Sequence, residues 1–200
     1  MENLSPEFWS DRYQTLNTGW DLGTISPPIK EYIDQLEDKS IRILIPGCGN
    51  ANEAEYLYEL GFTNVHVLDF VKEPLADFKN RVKDFPEAHL HQDDFFEHVG
   101  QYDLILEQTL FCAIDPSLRQ DYVATVNRLL TPKGKLVGLL FNRLFEGGPP
   151  FGGNLNEYQT QFSKVFKCVK MGSCYNSIEP RLGSELFIQI QKEAVRGSLT

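Results

Sequence analysis

A chain of 200 residues is the size of one ordinary α/β domain, long enough to bury roughly 70% of its unfolded surface without staples. Its 42% hydrophobic, 12% aromatic and 24% charged residues exclude disorder, collagen-like repeats and a disulfide scaffold. Nineteen Lys and Arg against 28 Asp and Glu leave a net charge of −9 with no basic cluster, which argues against a nucleic-acid partner.

Residues 1–20 concentrate aromatics: Phe8, Trp9, Tyr13 and Trp20. Ser5-Pro6-Glu7 predicts a helix start, with Ser as cap and Pro at the first position, so that Trp9 and Tyr13 share a face. Ser26-Pro27-Pro28 predicts a second helix running to about residue 36. The period then changes. Residues 41–45 (IRILI) form an apolar run of strand length, followed at once by PGCGN. Residues 51–60 predict a helix stopped by Gly61, residues 65–68 a second strand ending at Asp69, and residues 72–84 a helix. A short strand at 88–91, a strand at 102–106, a helix at 117–130 and a strand at 135–141 complete a βαβ series. After the Gly/Pro loop 146–154 comes a helix near 155–164. The runs 165–171 and 185–191 have no helix between them and should pair antiparallel at one sheet edge.

The expected fold is a single doubly wound α/β domain: an N-terminal helical lid over 1–38 and a Rossmann-like core over 39–200. The cysteines Cys48, Cys112, Cys168 and Cys174 form no CxxC pair, which predicts no metal and fits a reducing compartment. No export leader is visible and no apolar run approaches the ~20 residues of a bilayer span. A cytoplasmic monomer away from membranes is expected.

Ligands of such a sheet sit beyond the carboxyl ends of its strands. Gly47 and Gly49 stand between the first strand and its helix, where any β-carbon would obstruct a ligand. Asn52 occupies the place of the third glycine of the dinucleotide fingerprint, favouring a nucleoside without a diphosphate. Asp69, at the second strand tip, can accept from both ribose hydroxyls. Asp93-Asp94-Phe95 offers a carboxylate for an adenine amino group, a backbone N–H for a ring nitrogen and an aromatic wall. Glu107-Gln108 ends the fourth strand facing the crevice. His66, His89, His91 and His98 lie on or near the second and third strands and are expected to be structural, and Cys112 to be a pocket wall.

The segments FWSDRYQTLNTGWDLG, ILIPGCGNANEAEYL, VLDF, EQTLFCAIDPSLRQDYV, LLTPKGKLVGLLF and GGPPFGG resemble the thiopurine, thiol and halide methyltransferases, from about Phe8 to Lys192. FCAI followed by GGPP is closer to the halide/thiol branch. The resemblance implies a class I methyltransferase sheet of seven strands with the last inserted antiparallel. It implies S-adenosyl-L-methionine as cofactor, S-adenosyl-L-homocysteine as product, and a small thiol, bisulfide, halide or thiopurine as acceptor. It assigns Trp9, Tyr13 and Trp20 to contacts with the methionine part or to closing the site, Gly47 and Gly49 to the cofactor loop, and Asp69 to the ribose. Phe70, Asp94 and Phe95 fall to the adenine, and Glu107 and Gln108 to the crevice floor. Tyr13 stands where plant halide/thiol members have Trp, Gln108 where they have Tyr and thiopurine members Arg, and Phe141 where plant members commonly have Tyr. These three are the candidates for positioning the acceptor. An anionic acceptor would enter against the net charge unless Arg12, Arg143 or Arg181 makes the mouth locally positive. Two other readings of the strand tips stay open: an NAD(P)-dependent oxidoreductase on a similar fold, and a cofactor-binding protein without catalysis.

Overall fold

The run around residue 43 shows no hydrophobic alternation because both its faces are covered. Strand β1 (Ile43–Pro46) is buried at every position in the middle of a parallel sheet. β2 (Val65–Asp69), also buried throughout, lies on one side of it, and β4 (Tyr102–Gln108) on the other. β3 (Leu90–Gln92) extends the sheet past β2, and β5 (Leu130–Phe141) past β4. β7 (Glu185–Gln191) pairs antiparallel with both β5 and β6 (Cys168–Ser173), giving the order β3-β2-β1-β4-β5-β7-β6. The inserted antiparallel strand is therefore β7, one place in from the edge strand β6. The computed structural model describes residues 4–194.

One face carries α2 (Pro27–Ile33), α3 (Asn52–Glu59) and α4 (Lys72–Arg81), whose Ile29, Ile33, Leu57 and Phe78 pack with Ile43, Ile45, Leu104 and Leu106. The other face carries α5 (Leu110–Ala113), α6 (Arg119–Leu129) and α7 (Leu155–Ser163). There Phe111, Tyr122, Tyr158 and Phe162 join Leu44, Ile105 and Leu136. Odd and even strand positions divide between the two cores, as the two-residue period of a strand requires.

The N-terminal helix α1 (Pro6–Gln14) starts as predicted: the Ser5 side chain accepts from the Phe8 N–H at 3.5 Å. It buries no residue. The segment expected as a lid, residues 1–38, includes α2. α2 packs into the core, with Ile29 and Ile33 at most 1% exposed and Ile25 packed against the same cluster. Ile33→Ala is expected to cost about 2–5 kcal/mol of unfolding free energy in denaturant titration, as for other buried aliphatic truncations. A loss well under 1 kcal/mol would return α2 to the lid.

Two boundaries differ for local reasons. α4 stops at Arg81 instead of residue 84, because Lys79 Nζ reaches forward to the carbonyls of Lys83 and Phe85 at 2.8 and 2.6 Å and turns the chain. β5 begins at Leu130, so α6 passes directly into the strand through Thr131-Pro132.

Candidate functional site

Strand order reverses between β1 and β4, and their carboxyl ends open one crevice. Gly47 and Gly49 turn the chain there with φ of +57° and +50°. A Cβ on Gly47 would come within 2.9 Å of Leu110 Cδ1, and one on Gly49 within 2.9 Å of the Tyr13 hydroxyl. The loop is thus gripped by α5 from one side and α1 from the other. Ala51 and Thr109, which precede α3 and α5, also adopt left-handed φ (+54° and +68°) without glycine's freedom. Each costs on the order of 1–3 kcal/mol, and both flank the crevice, where backbone strain commonly collects.

Asp69, at the tip of β2, is only 5% exposed. Its Oδ2 accepts from the Gly49 N–H at 3.0 Å and its Oδ1 from the Val71 N–H at 2.9 Å. Burial pushes its carboxyl above the ordinary range, while these backbone donors pull the other way. Each oxygen keeps a second lone pair for a ligand hydroxyl. Beyond it, the Asp93 N–H donates to the Asp69 carbonyl at 3.2 Å and Asp94 Oδ1 accepts from the Phe96 N–H at 2.8 Å. The Phe95 N–H has no protein acceptor among the described residues. Its ring packs against Tyr122 in the second core, 5.2 Å between centroids, so Phe95 offers a donor and not the expected aromatic wall. Phe70, half-buried, follows Asp69 directly.

The aromatic N-terminus folds onto this loop. Trp20 meets Trp9 and Tyr13 edge-on at 5.4 and 5.7 Å. Burial, reinforced by the negative charge of Asp69, pushes the Tyr13 phenol up. Three anchors hold the segment. Ser10 and Gln14 donate to Glu73 of α4, and Asp21 accepts from the side chains of Asn50 and Asn52. Arg181 Nη2 donates to the Trp20 carbonyl at 2.7 Å. Beneath lies a cavity of about 50 Å³ lined by Trp20, Asp21, Gly49, Asn52, Glu53 and Gln108, among others. That is space for one or two waters. Burial raises the Glu53 carboxyl to about 7.

Glu107 and Gln108 part company. Successive strand residues face opposite sides of the sheet, and Gln108 takes the crevice side, accepting from Ser26 Oγ at 3.3 Å. Glu107 points into the second core, fully buried, where it accepts from the Phe111 N–H at 2.9 Å and from the Tyr122 hydroxyl. The expected placing of its side chain on the crevice floor is therefore corrected. Burial raises it to about 7.

Arg181 stands 5.6 Å over the Phe141 ring. Arg181 Nη1 is buried without a hydrogen-bond partner, its nearest carboxylate being Glu185 at 3.6 Å. The structure thus gathers Trp9, Tyr13, Trp20, Gly47, Gly49, Asp69 and Gln108 at one crevice, with Asp94 and Phe95 along one flank and Phe141 along the other. Asp21 and Glu53 are lining residues that sequence reasoning missed. An acidic residue in the first turn of a helix ordinarily faces water and complements the helix dipole, so nothing in the pattern marks Glu53.

All four histidines gather elsewhere, around the first residues of β2 and β3. His66 Nδ1 lies 2.9 Å from His91 Nε2, and His98 bonds Asp93 and Tyr102. Burial holds His66 down to about 3, and the group sits around the amino ends of β2 and β3, away from the strand tips that open the crevice. Among the described residues no cluster of His, Cys, Asp or Glu could hold a metal ion, and no helix is long and apolar enough to cross a membrane.

Comparison with known proteins agrees with this geometry. Thiocyanate methyltransferase 1 of Brassica oleracea is 28% identical over 191 residues, covering 92% of this chain and 84% of its own. The thiopurine S-methyltransferase of Acinetobacter baylyi is 26% identical over 189 residues, covering 82% of this chain and 86% of its own. Among solved structures, the 1,6-didemethyltoxoflavin-N1-methyltransferase of Burkholderia thailandensis, with bound S-adenosylhomocysteine, superposes with a TM-score of 0.67 at 17% identity. The match covers 96% of this chain and 92% of that one, and shows the shared fold. The family model for thiopurine S-methyltransferase matches residues 4–195, and the chain belongs to that family.

Proposed function

We propose that the protein is a cytoplasmic, monomeric S-adenosylmethionine-dependent methyltransferase acting on a small acceptor that reacts as an anion: a thiol, bisulfide, halide or thiopurine. The observation that carries this reading is the Asp69–Gly49 cradle at the tip of β2, covered by an aromatic segment whose Trp20 carbonyl Arg181 holds. Asp69 accepts from the ribose, Gly47 and Gly49 let the ligand approach the backbone, and Asp94 with the Phe95 N–H reads the adenine beside Phe70. Trp9, Tyr13 and Trp20 close over the methionine end, where aromatic faces attract a sulfonium by about 0.5–2 kcal/mol. Asn52 is spent on Asp21 where a dinucleotide fold would carry its third glycine, which disfavours a nicotinamide cofactor.

The cofactor supplies a methyl group already activated on sulfur. The chain's residues therefore have no bond to polarise; they hold donor and acceptor in line and keep water out. Arg181, paired with Glu185 at 3.6 Å and stacked over Phe141, puts a cation on that side despite the overall charge of −9, and beside a guanidinium an acceptor thiol loses its proton more readily. Neither neighbouring cysteine competes as a nucleophile, since burial pushes Cys112 up to about 12 and Cys48 well above its ordinary value. With the aromatic segment in place the pocket beside Trp20 has only about 50 Å³ of free space, which supports an opening of the segment before Ile25 when the nucleoside enters.

Methyl transfer to iodide, bisulfide, thiocyanate, an alkyl thiol and a thiopurine, measured in parallel, tests the reading. Turnover of at least one is expected from the full chain, and none from a chain lacking residues 1–20 that still folds and binds S-adenosylhomocysteine. Normal turnover by the truncated chain would remove the closing role of the aromatic segment. Failure of every acceptor with the full chain would sink the proposed acceptor class.

A further inference from the structure

The loop between β5 and α7, residues 142–154, reads in sequence as a free Gly/Pro connection, yet its returning half is fastened from beneath. Arg119, the first residue of α6, is 2% exposed and sends its guanidinium to three acceptors. Nη2 donates to the carbonyls of Phe151 and Gly152 at 3.1 and 2.9 Å, and Nη1 to Glu157 at 3.0 Å. The same guanidinium stacks 4.8 Å from the Phe111 ring of α5. The Phe151 N–H then donates to the Cys112 carbonyl at 2.6 Å, locking the loop onto α5. At Gly152 the backbone passes so close to the Arg143 carbonyl that a Cβ would overlap it.

α5 follows Gln108 and Thr109 of the crevice, and Cys112 feels the positive charge of both Arg181 and Arg119. The fastened loop thus borders the side of the crevice left over once the tips of β1, β2 and β3 have taken the nucleoside. We infer that Arg119 is a positioning residue for acceptor binding: by gripping the Phe151–Gly152 backbone it fixes the wall against which the acceptor is held. The inference rests on the proposed reading of which side receives the acceptor.

A planar guanidinium can serve two carbonyls and a carboxylate together, whereas an ammonium acts as a single compact charge. Arg119→Lys keeps the charge and loses the fork. The expected result is an acceptor KM raised roughly 10- to 100-fold, because small misplacements of a binding wall are costly. S-adenosylhomocysteine affinity stays within about twofold of wild type, since its cradle lies across the crevice. Glu157→Gln, which leaves both carbonyl bonds in place, retains the wild-type KM. Amide hydrogen exchange gives a second readout independent of turnover: the Phe151 and Gly153 amides exchange faster in Arg119→Lys, while those of Gly49 and Val71 do not. Unchanged exchange at Phe151 and Gly153 overturns the inference whatever the assay shows. Faster exchange with an unchanged KM overturns the acceptor role. A parallel fall in S-adenosylhomocysteine affinity overturns it too, by showing general loosening. Should the wild-type chain methylate none of the acceptors, the functional reading fails, and the exchange experiment still decides whether Arg119 holds the loop.

Discussion

Replacing Asp69 by alanine is expected to weaken S-adenosylhomocysteine binding by about 1.5–3 kcal/mol, the usual loss for hydrogen bonds to a charged acceptor. That corresponds to roughly a 10- to 150-fold rise in Kd. Two effects act in the same direction. The ligand loses an acceptor for its ribose hydroxyls, and the Gly49 and Val71 N–H groups lose the carboxylate that holds the glycine loop in its left-handed path. Asp69→Asn separates them: it preserves shape and one acceptor oxygen, and so should fall between wild type and alanine. Calorimetric titration measures both variants. Equal affinity in all three proteins would sink the ribose assignment.

Glu107→Gln is expected to stabilise the fold at alkaline pH and to do little near pH 5. Burial holds the folded carboxyl at about 7 against 4.5 when free, so between those values the folded state keeps a proton that the unfolded chain has released. Stability from this residue is therefore present below about 4.5 and is lost as pH rises toward 7. The full loss is on the order of 3 kcal/mol. A glutamine amide can still accept from the Phe111 N–H and donate to the Tyr122 oxygen, without a charge to bury. At about 2–4 °C per kcal/mol for a chain of this size, the variant should melt several degrees above wild type at pH 8. A Tm difference that does not change with pH would show that Glu107 does not titrate in this way. His66, His89 and His91 set the opposite limb in both proteins. His66, held down to about 3 from 6.5, refuses protons that the unfolded chain accepts, so stability drops as pH falls below about 6.5.

Glu107 also shows where the sequence stops speaking. Glu107-Gln108 reads as one polar pair at a strand end, and the pattern along β4 does not say which of the two faces the crevice. The answer depends on what covers each side of the sheet. α2 and α3 carry apolar residues on one side, and the aromatic cluster of α5 and α6 on the other includes Tyr122, which supplies a hydroxyl partner. Phe95 behaves alike: its place after β3 was legible, but the direction of its ring was settled by Tyr122. The place of α2 is decided in the same way. Ile29 and Ile33 have ordinary helical spacing, and only the sheet beneath them makes α2 part of the core.

What the sequence determined by itself is local in origin. Strand-length apolar runs, caps, glycine stops and the βαβ rhythm require only neighbouring residues, and they placed Gly47, Gly49 and Asp69 at strand tips. The charge of −9 likewise argued against a nucleic-acid partner before any contact was known. Tertiary structure alone decided what depends on segments far apart in the chain. Arg181 reaches the Trp20 carbonyl across 161 positions, and Arg119 reaches Gly152 across 33. Burial in the packed state raises Glu53 and Glu107 and leaves Arg119 Nε and Arg181 Nη1 without hydrogen-bond partners. Desolvation and hydrogen-bond satisfaction belong to the packed state, and no reading of residue order contains them.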